Sequence, residues 1–178
     1  MPSLPSLAKI FALVGMLLAA IPAAPVHAQT LWIDEIKANY LEGFVDFVTW
    51  QGDAAQESVT IGVMGSPELA RILERASEDG ERARRLSVAR VSPGDELSGL
   101  DVLYVGSGYK PHWPELRKAA ARENVLLVGD EEGFVRSGGC IEFVFRKNRV
   151  RFIVSVENIE KHGIEVSSKL SELSLRQP

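Results

Sequence analysis

Residues 140–155 read "CIEFVFRKNRVRFIVS", and a two-residue turn at Lys147-Asn148 makes the pattern self-consistent. Such a turn sets Phe145 against Val150, Phe143 against Phe152 and Ile141 against Val154, so that all six apolar side chains share one face. Glu142, Arg146, Arg149 and Arg151 take the other. The segment is expected to be an antiparallel hairpin. By the same parity Cys140 falls with Glu142 on the wetter face.

Upstream the rhythm changes. "SVTIGVMG" (58–65), "LSVARVS" (86–92), "LDVLYVGS" (100–107) and "NVLLVGD" (124–130) are apolar runs of strand length. Between them lie helical patterns. Ser66 is placed to cap a helix opened by Pro67 and running to about residue 77, with Leu69, Ile72 and Leu73 inward. Pro111 to about Arg122 reads as another, with Trp113 and Leu116 inward, while "EDGERARR" (78–85) is a polar turn. "GIEVSSKLSEL" (163–173) places Val166, Leu170 and Leu173 on one side of a short helix. Apolar runs separated by helices predict an α/β fold. The expected architecture is a single-domain layered sandwich. Its sheet is largely parallel, covered by helices on both faces, and ends in a C-terminal antiparallel hairpin.

Ahead of these runs stands "IKANYLEGFVDFVTW" (36–50). At about 100° per residue, Ile33, Ile36, Tyr40, Phe44, Phe47 and Val48 share one side, and Glu35, Asn39, Glu42, Asp46 and Thr49 the other. An amphipathic helix is expected from Leu31 to Phe47 or Val48. Interfacial membrane helices carry Lys and Arg on the polar face; this face is anionic, so the helix is expected to pack on its own domain. Lys37, in the densest part of the stripe, must then snorkel past Tyr40 and Phe44 or meet a buried acid.

The first 28 residues have the pattern of a cleaved secretory signal peptide. Lys9 precedes the apolar run Ile10–Ile21, and Val26-His27-Ala28 offers small residues at the exit. The run is too short for a comfortable membrane span, so an exported chain over 29–178 is expected, with no membrane insertion after cleavage. Of 20 basic side chains only Lys9 leaves with that segment, so 19 face 24 acidic ones. An acidic domain without a basic run is a poor partner for nucleic acid.

Signals for chemistry are sparse. His112 and His162 have no histidine or cysteine at ligand spacing, so no metal site is expected and both read as solvated loop residues. "VGSGYK" (105–110) lacks the third glycine of a dinucleotide loop and the ending of a P-loop. It does lie at the carboxyl end of a strand, where open α/β sheets bind ligands. Asp130, Glu131 and Glu132 read as a solvated turn. Cys140, the one cysteine, cannot form an internal bridge; a cysteine in a strand is usually an inert packing residue, and the competing expectation, drawn from its parity, is an exposed thiol for redox pairing with a partner. No cofactor, catalytic residue or nucleophile–base pair is indicated, and the chain is not expected to be an enzyme. Candidate partner contacts are Ile164, Val166, Leu170 and Leu173 in the last segment and Trp50 at the helix exit, with ordinary core packing as the competing expectation.

Taken in order, "IKANYLEGFVDFVTW", "VTIGVMGSPELARIL", "LDVLYVG" and "NVLLVGDEEGFVRSGGCIEFVFRKNRVRFIVSVENIEKHGIEVSSKL" resemble the YfiR-like family of periplasmic proteins. The resemblance covers nearly all of the chain after residue 28. It implies a regulatory repressor that binds the periplasmic domain of a membrane diguanylate cyclase and lowers cyclic-di-GMP and biofilm formation. It also implies sequestration by an outer-membrane lipoprotein of the peptidoglycan-associated type. Cysteines often found in the family's first strand and before its third are replaced here by Gly62 and Asp101, so internal disulfide control is not implied. The alternative is a periplasmic small-ligand-binding module with its site near Gly106–Tyr109 and Gly129–Asp130.

Overall fold

The hairpin forms as its sequence dictates. Strands β6 (Ile141–Arg146) and β7 (Arg149–Val154) pair antiparallel with Ile141 opposite Val154, Phe143 opposite Phe152 and Phe145 opposite Val150. Lys147 and Asn148 take φ of +51° and +58°, the backbone that a tight two-residue hairpin turn requires. The computed structural model describes residues 26–50, 58–78 and 85–175. The expected signal peptide therefore lies outside the described residues except for helical backbone from Val26, as does the polar turn at 79–84.

The hairpin closes one end of a six-stranded sheet ordered β3-β2-β4-β5-β6-β7. Its other strands are β2 (Ser58–Met64), β3 (Arg85–Arg90), β4 (Val102–Val105) and β5 (Leu126–Gly129). All neighbours are parallel except β6 and β7. The central strands β4 and β5 are buried at every position, which is why they read as unbroken apolar runs rather than alternating ones.

Helix α1 runs from Val26 to Phe44, and the folded body begins at Leu31. Tyr40 and Phe44 lie on Phe143 and Phe152 of the hairpin, with ring centroids 5.0–6.0 Å apart. Tyr104 of β4 joins this face, 6.4 Å from Phe143. The opposite face is reached one residue further along β5. There Phe134 lies over Gly129, where an added Cβ would come within 2.7 Å of its ring. The same ring meets Trp113 of α3 (Trp113–Arg122) edge-on at 5.0 Å. Both faces are thus covered. Helix α2 (Pro67–Glu78) begins at Ser66, whose Oγ accepts from the Leu69 N–H at 3.4 Å.

Two boundaries differ from expectation. The opening helix stops at Phe44, a single 3-10 turn follows (Val45–Phe47), and Val48–Trp50 is a strand, β1. It pairs antiparallel with a second short strand, β8 (Ile164–Val166), inside the segment expected to be wholly helical. Only Ser168–Leu173 is helical there, as α5; α4 (Val156–Lys161) precedes β8. The reason is local. Val48 and Trp50 are buried around an exposed Thr49, an alternation of two that β-branched and aromatic residues favour. The Phe47 carbonyl then accepts from the Ser167 N–H at 2.8 Å, which extends the pairing of β1 with β8. On a helical wheel the same residues also fall near the apolar stripe, so periodicity could not separate the two.

Candidate functional site

The Gly106–Tyr109 and Gly129–Asp130 loops come together at the carboxyl ends of β4 and β5. Ser107 Oγ donates to Asp130 Oδ1 at 3.1 Å, and the Gly108 N–H donates to Glu131 Oε2 at 3.1 Å. Asp130 is therefore not part of a solvated turn, as the acidic run suggested. Its second oxygen, Oδ2, accepts from Lys37 Nζ at 2.7 Å and from the Tyr104 hydroxyl at 2.5 Å. Lys37 Nζ also lies 3.2 Å from the Tyr104 oxygen and 3.6 Å from Asp34 Oδ1. The amphipathic helix thus lowers a cation onto the strand tips, and the acid that its stripe demanded is Asp130, half-buried and 93 residues away.

Burial sets the electrostatics of this cluster. Asp34 is nearly inaccessible, and desolvation pushes its carboxyl above the ordinary range, only partly offset by Lys37. Tyr104 is pushed up by burial and then by the neighbouring Asp130 charge, so it remains a neutral phenol and a donor. Lys37, Tyr104, Ser107 and Asp130 at the crevice are partnered with one another. The chemistry this supports is the latching of α1 to the sheet. A ligand entering here would have to displace Lys37.

The thiol lies elsewhere in the fold. Cys140 shares parity with Glu142, but neither is on a wet face. The 3-10 turn Val135–Ser137 and its approach fold over β6, and the Glu142 carboxylate accepts from the Gly133 and Val135 N–H groups at 3.2 and 3.0 Å. Cys140 is fully buried, with His162 Nδ1 3.6 Å from its sulfur. That nitrogen also lies 2.8 Å from the Val125 carbonyl, which can only accept, so Nδ1 carries its proton and has no lone pair for the thiol. Burial raises the Cys140 pKa to about 12 and lowers that of His162. The exposure that parity suggested for Cys140 is thus corrected to burial, which suits its reading as a packing residue, and the solvated His162 is corrected to a neutral core one. Cys140 is expected to react with a maleimide at least ~100-fold more slowly than free cysteine at pH 7.5, and rapidly in denaturant. Equal rates in both conditions would refute its burial.

Of the apolar contact candidates, Trp50, Ile164 and Leu170 belong to the core. Trp50 Nε1 donates to the Asn124 carbonyl at 2.9 Å, which ties β1 to the turn before β5. Val166 is half-buried opposite Val48. Leu173 is 61% exposed at the end of α5, and Val156, which no sequence pattern singled out, is 37% exposed at the start of α4. His112 lies beside Tyr109, 6.2 Å between ring centres. Among the described residues no group of three or more His, Cys, Asp or Glu could hold a metal ion. No helix among them is long and apolar enough to cross a membrane.

A family model described as YfiR/HmsC-like matches residues 34–175, the whole span from Asp34 at the latch to Leu175 beside β7. The chain belongs to the YfiR/HmsC-like family. The fold is also similar to the crystal structure of a conserved domain protein from Vibrio cholerae O1 biovar El Tor. That likeness has a TM-score of 0.52 and 14% identity, and covers 79% of this chain and 58% of the other. The chain therefore spans less than two thirds of that relative's length, and the likeness is one of fold alone. No curated protein matches.

Proposed function

We propose that this chain is an exported regulator that binds the periplasmic domain of a membrane diguanylate cyclase and represses it. Cyclic-di-GMP and biofilm formation then fall. The observation that carries this reading is the family match across residues 34–175, which takes in every element of the folded body from α1 to α5. The arrangement of the crevice supports it. Lys37, Tyr104 and Asp130 are spent on holding the helix rather than presented to a substrate. That disfavours a small-ligand module built on the Gly106–Tyr109 and Gly129–Asp130 loops. Export through residues 1–28 places the regulator on the cyclase's outer side. An outer-membrane lipoprotein of the peptidoglycan-associated type is its second proposed partner. Repression is linkage: a protein that binds the inactive cyclase more tightly than the active one shifts the population toward inactivity.

Leu173 and Val156 are the proposed apolar contacts. Val156 follows β7 directly, and Leu173 stands two residues before Leu175, which bridges Ile153 on the outer side of β7. Both flank the same sheet edge. Leu173→Asp is expected to weaken binding to a cyclase periplasmic domain by at least about tenfold, the size of effect typical of one apolar interface anchor. Its melting temperature should stay unchanged, since the side chain is already solvated. Titration calorimetry with the wild-type chain and the cyclase domain tests the reading itself. Association in the micromolar range or tighter is expected, and no heat at roughly 100 μM of each would sink it.

A further inference from the structure

A cleft of about 430 Å³ opens between α3, the 3-10 turn after Phe134 and the end of α4. Arg117, Lys118, Arg136 and Lys161 line it together with Asn158 and His162, and among the described residues no carboxylate does. Four permanent cations on one concavity is unexpected in a chain whose formal net charge is −4. Two of these cations have acidic partners that do not line the cleft. Glu132 lies 3.8 Å from Arg136, and Glu157 2.6 Å from Lys161, yet these carboxylates are 92% and 77% exposed. Pairs so wet are weak and easily exchanged for a better anion.

Arg117 is the organised member of the set. Its Nη1 donates to the Ser137 carbonyl at 2.7 Å, using one of five N–H groups. Its stem runs over Gly138, which holds φ of +100° and where an added Cβ would collide with Arg117 Cδ. Glycine is thus needed twice over, for the turn and for the room the arginine takes. Arg117 also helps lower the pKa of His162 behind burial, so its charge is felt inside the cleft while the imidazole adds none. A planar fork fixed at a concave wall, with mobile ammonium groups around it, matches a tetrahedral or planar oxyanion.

We propose that this cleft binds a small solute bearing an oxyanion of two negative charges, a phosphate monoester or a dicarboxylate. The Arg117 fork holds it, and Lys118, Arg136 and Lys161 neutralise it. The site is separate from the α1 latch and from the Leu173 edge, and it stands whether or not the cyclase reading does.

Calorimetric titration of the purified chain in phosphate-free, low-salt buffer tests it with three probes: inorganic phosphate, glycerol 3-phosphate and succinate. Saturable binding of at least one, with Kd below roughly 1 mM, is expected. It should weaken several-fold when ionic strength rises from about 0.02 to 0.2 M. Tighter phosphate binding assigns a phosphoryl group, and tighter succinate binding assigns a carboxylate. Arg117→Gln should weaken the best probe at least about tenfold. Arg71→Gln, an exposed arginine on α2 outside the cleft, should leave it unchanged. If Arg117→Gln does not fold, Lys118→Gln carries the comparison, because Lys118 makes no ion pair among the described residues. No saturable heat with any probe up to about 10 mM, or equal loss in Arg71→Gln, overturns the proposal.

Discussion

Lys37→Met is expected to cost about 3 kcal/mol and to lower the melting temperature by roughly 6–12 °C. These are the low end of the magnitudes for breaking a buried ion pair in a domain of this size, as suits a pair that keeps a little solvent contact. The methionine fills the space of the lysine stem, so packing is nearly conserved and the loss is electrostatic. Asp130 keeps the Tyr104 and Ser107 hydroxyls, but it and Asp34 lose the one cation between them. The Asp130 charge already adds to the rise at Asp34. A second change, Asp130→Asn, completes a double-mutant cycle, and a coupling above about 1 kcal/mol would locate the loss in this pair.

The pH dependence gives the sign. Asp34 has its folded pKa raised, chiefly by burial, with Lys37 opposing the rise. A group of this kind contributes most below its unfolded pKa, and that contribution is lost as pH rises through its folded pKa. Removing Lys37 deletes the opposing influence, so the folded pKa climbs further and the loss extends to higher pH. The deficit of Lys37→Met should therefore be smallest near pH 4 and grow toward pH 7 in urea melts. A deficit that is flat across this window, or smaller than about 1 kcal/mol, would mean that the latch carries no electrostatic weight.

How much of this was legible follows from the range of the forces involved. The hairpin register needed only residues 140–155, because a two-residue turn leaves one pairing in which Phe143 meets Phe152. The parallel strands were legible because continuous burial leaves continuous apolar runs. Lys37 announced itself as a charge inside an apolar stripe, and so did its need for an acid. Which acid answered it could not be read, since Asp130 sits 93 residues away in a run of three carboxylates. Parity failed at Cys140 for a related reason. It assigns a side chain to a face of the sheet, but whether that face is wet depends on the Val135–Ser137 turn that folds over it. The pairing of β1 with β8 joins residues more than a hundred positions apart, and the alternation in Val48–Trp50 is too short to stand out from the helical stripe before it. The cationic cleft draws on α3, a turn and α4; no local run of Lys or Arg marks it.

The largest single loss is expected from Phe44→Ala, about 4 kcal/mol, in the range for truncating a buried aromatic. Phe44 is 2% exposed and meets three rings: Tyr40 stacked at 5.9 Å, Phe143 at 5.8 Å and Phe152 edge-on at 5.0 Å. Those neighbours belong to two different elements, a helix and a hairpin, so they cannot close the void without undocking one from the other. Phe145→Ala removes the same atoms from the hairpin that Phe44 packs on, but at a position 52% exposed, and should cost within about 0.5 kcal/mol. The contrast separates burial from aromaticity. Phe44 and Lys37 are seven residues apart on one helix, about 10 Å along its axis, far enough for independent losses to add. They should not add if α1 docks as a unit, for once it has left the sheet the second substitution has nothing more to break. Urea unfolding of Lys37→Met/Phe44→Ala is therefore expected to show less than the sum of the two single losses, while strict additivity would mean that each end of the helix holds to the sheet on its own.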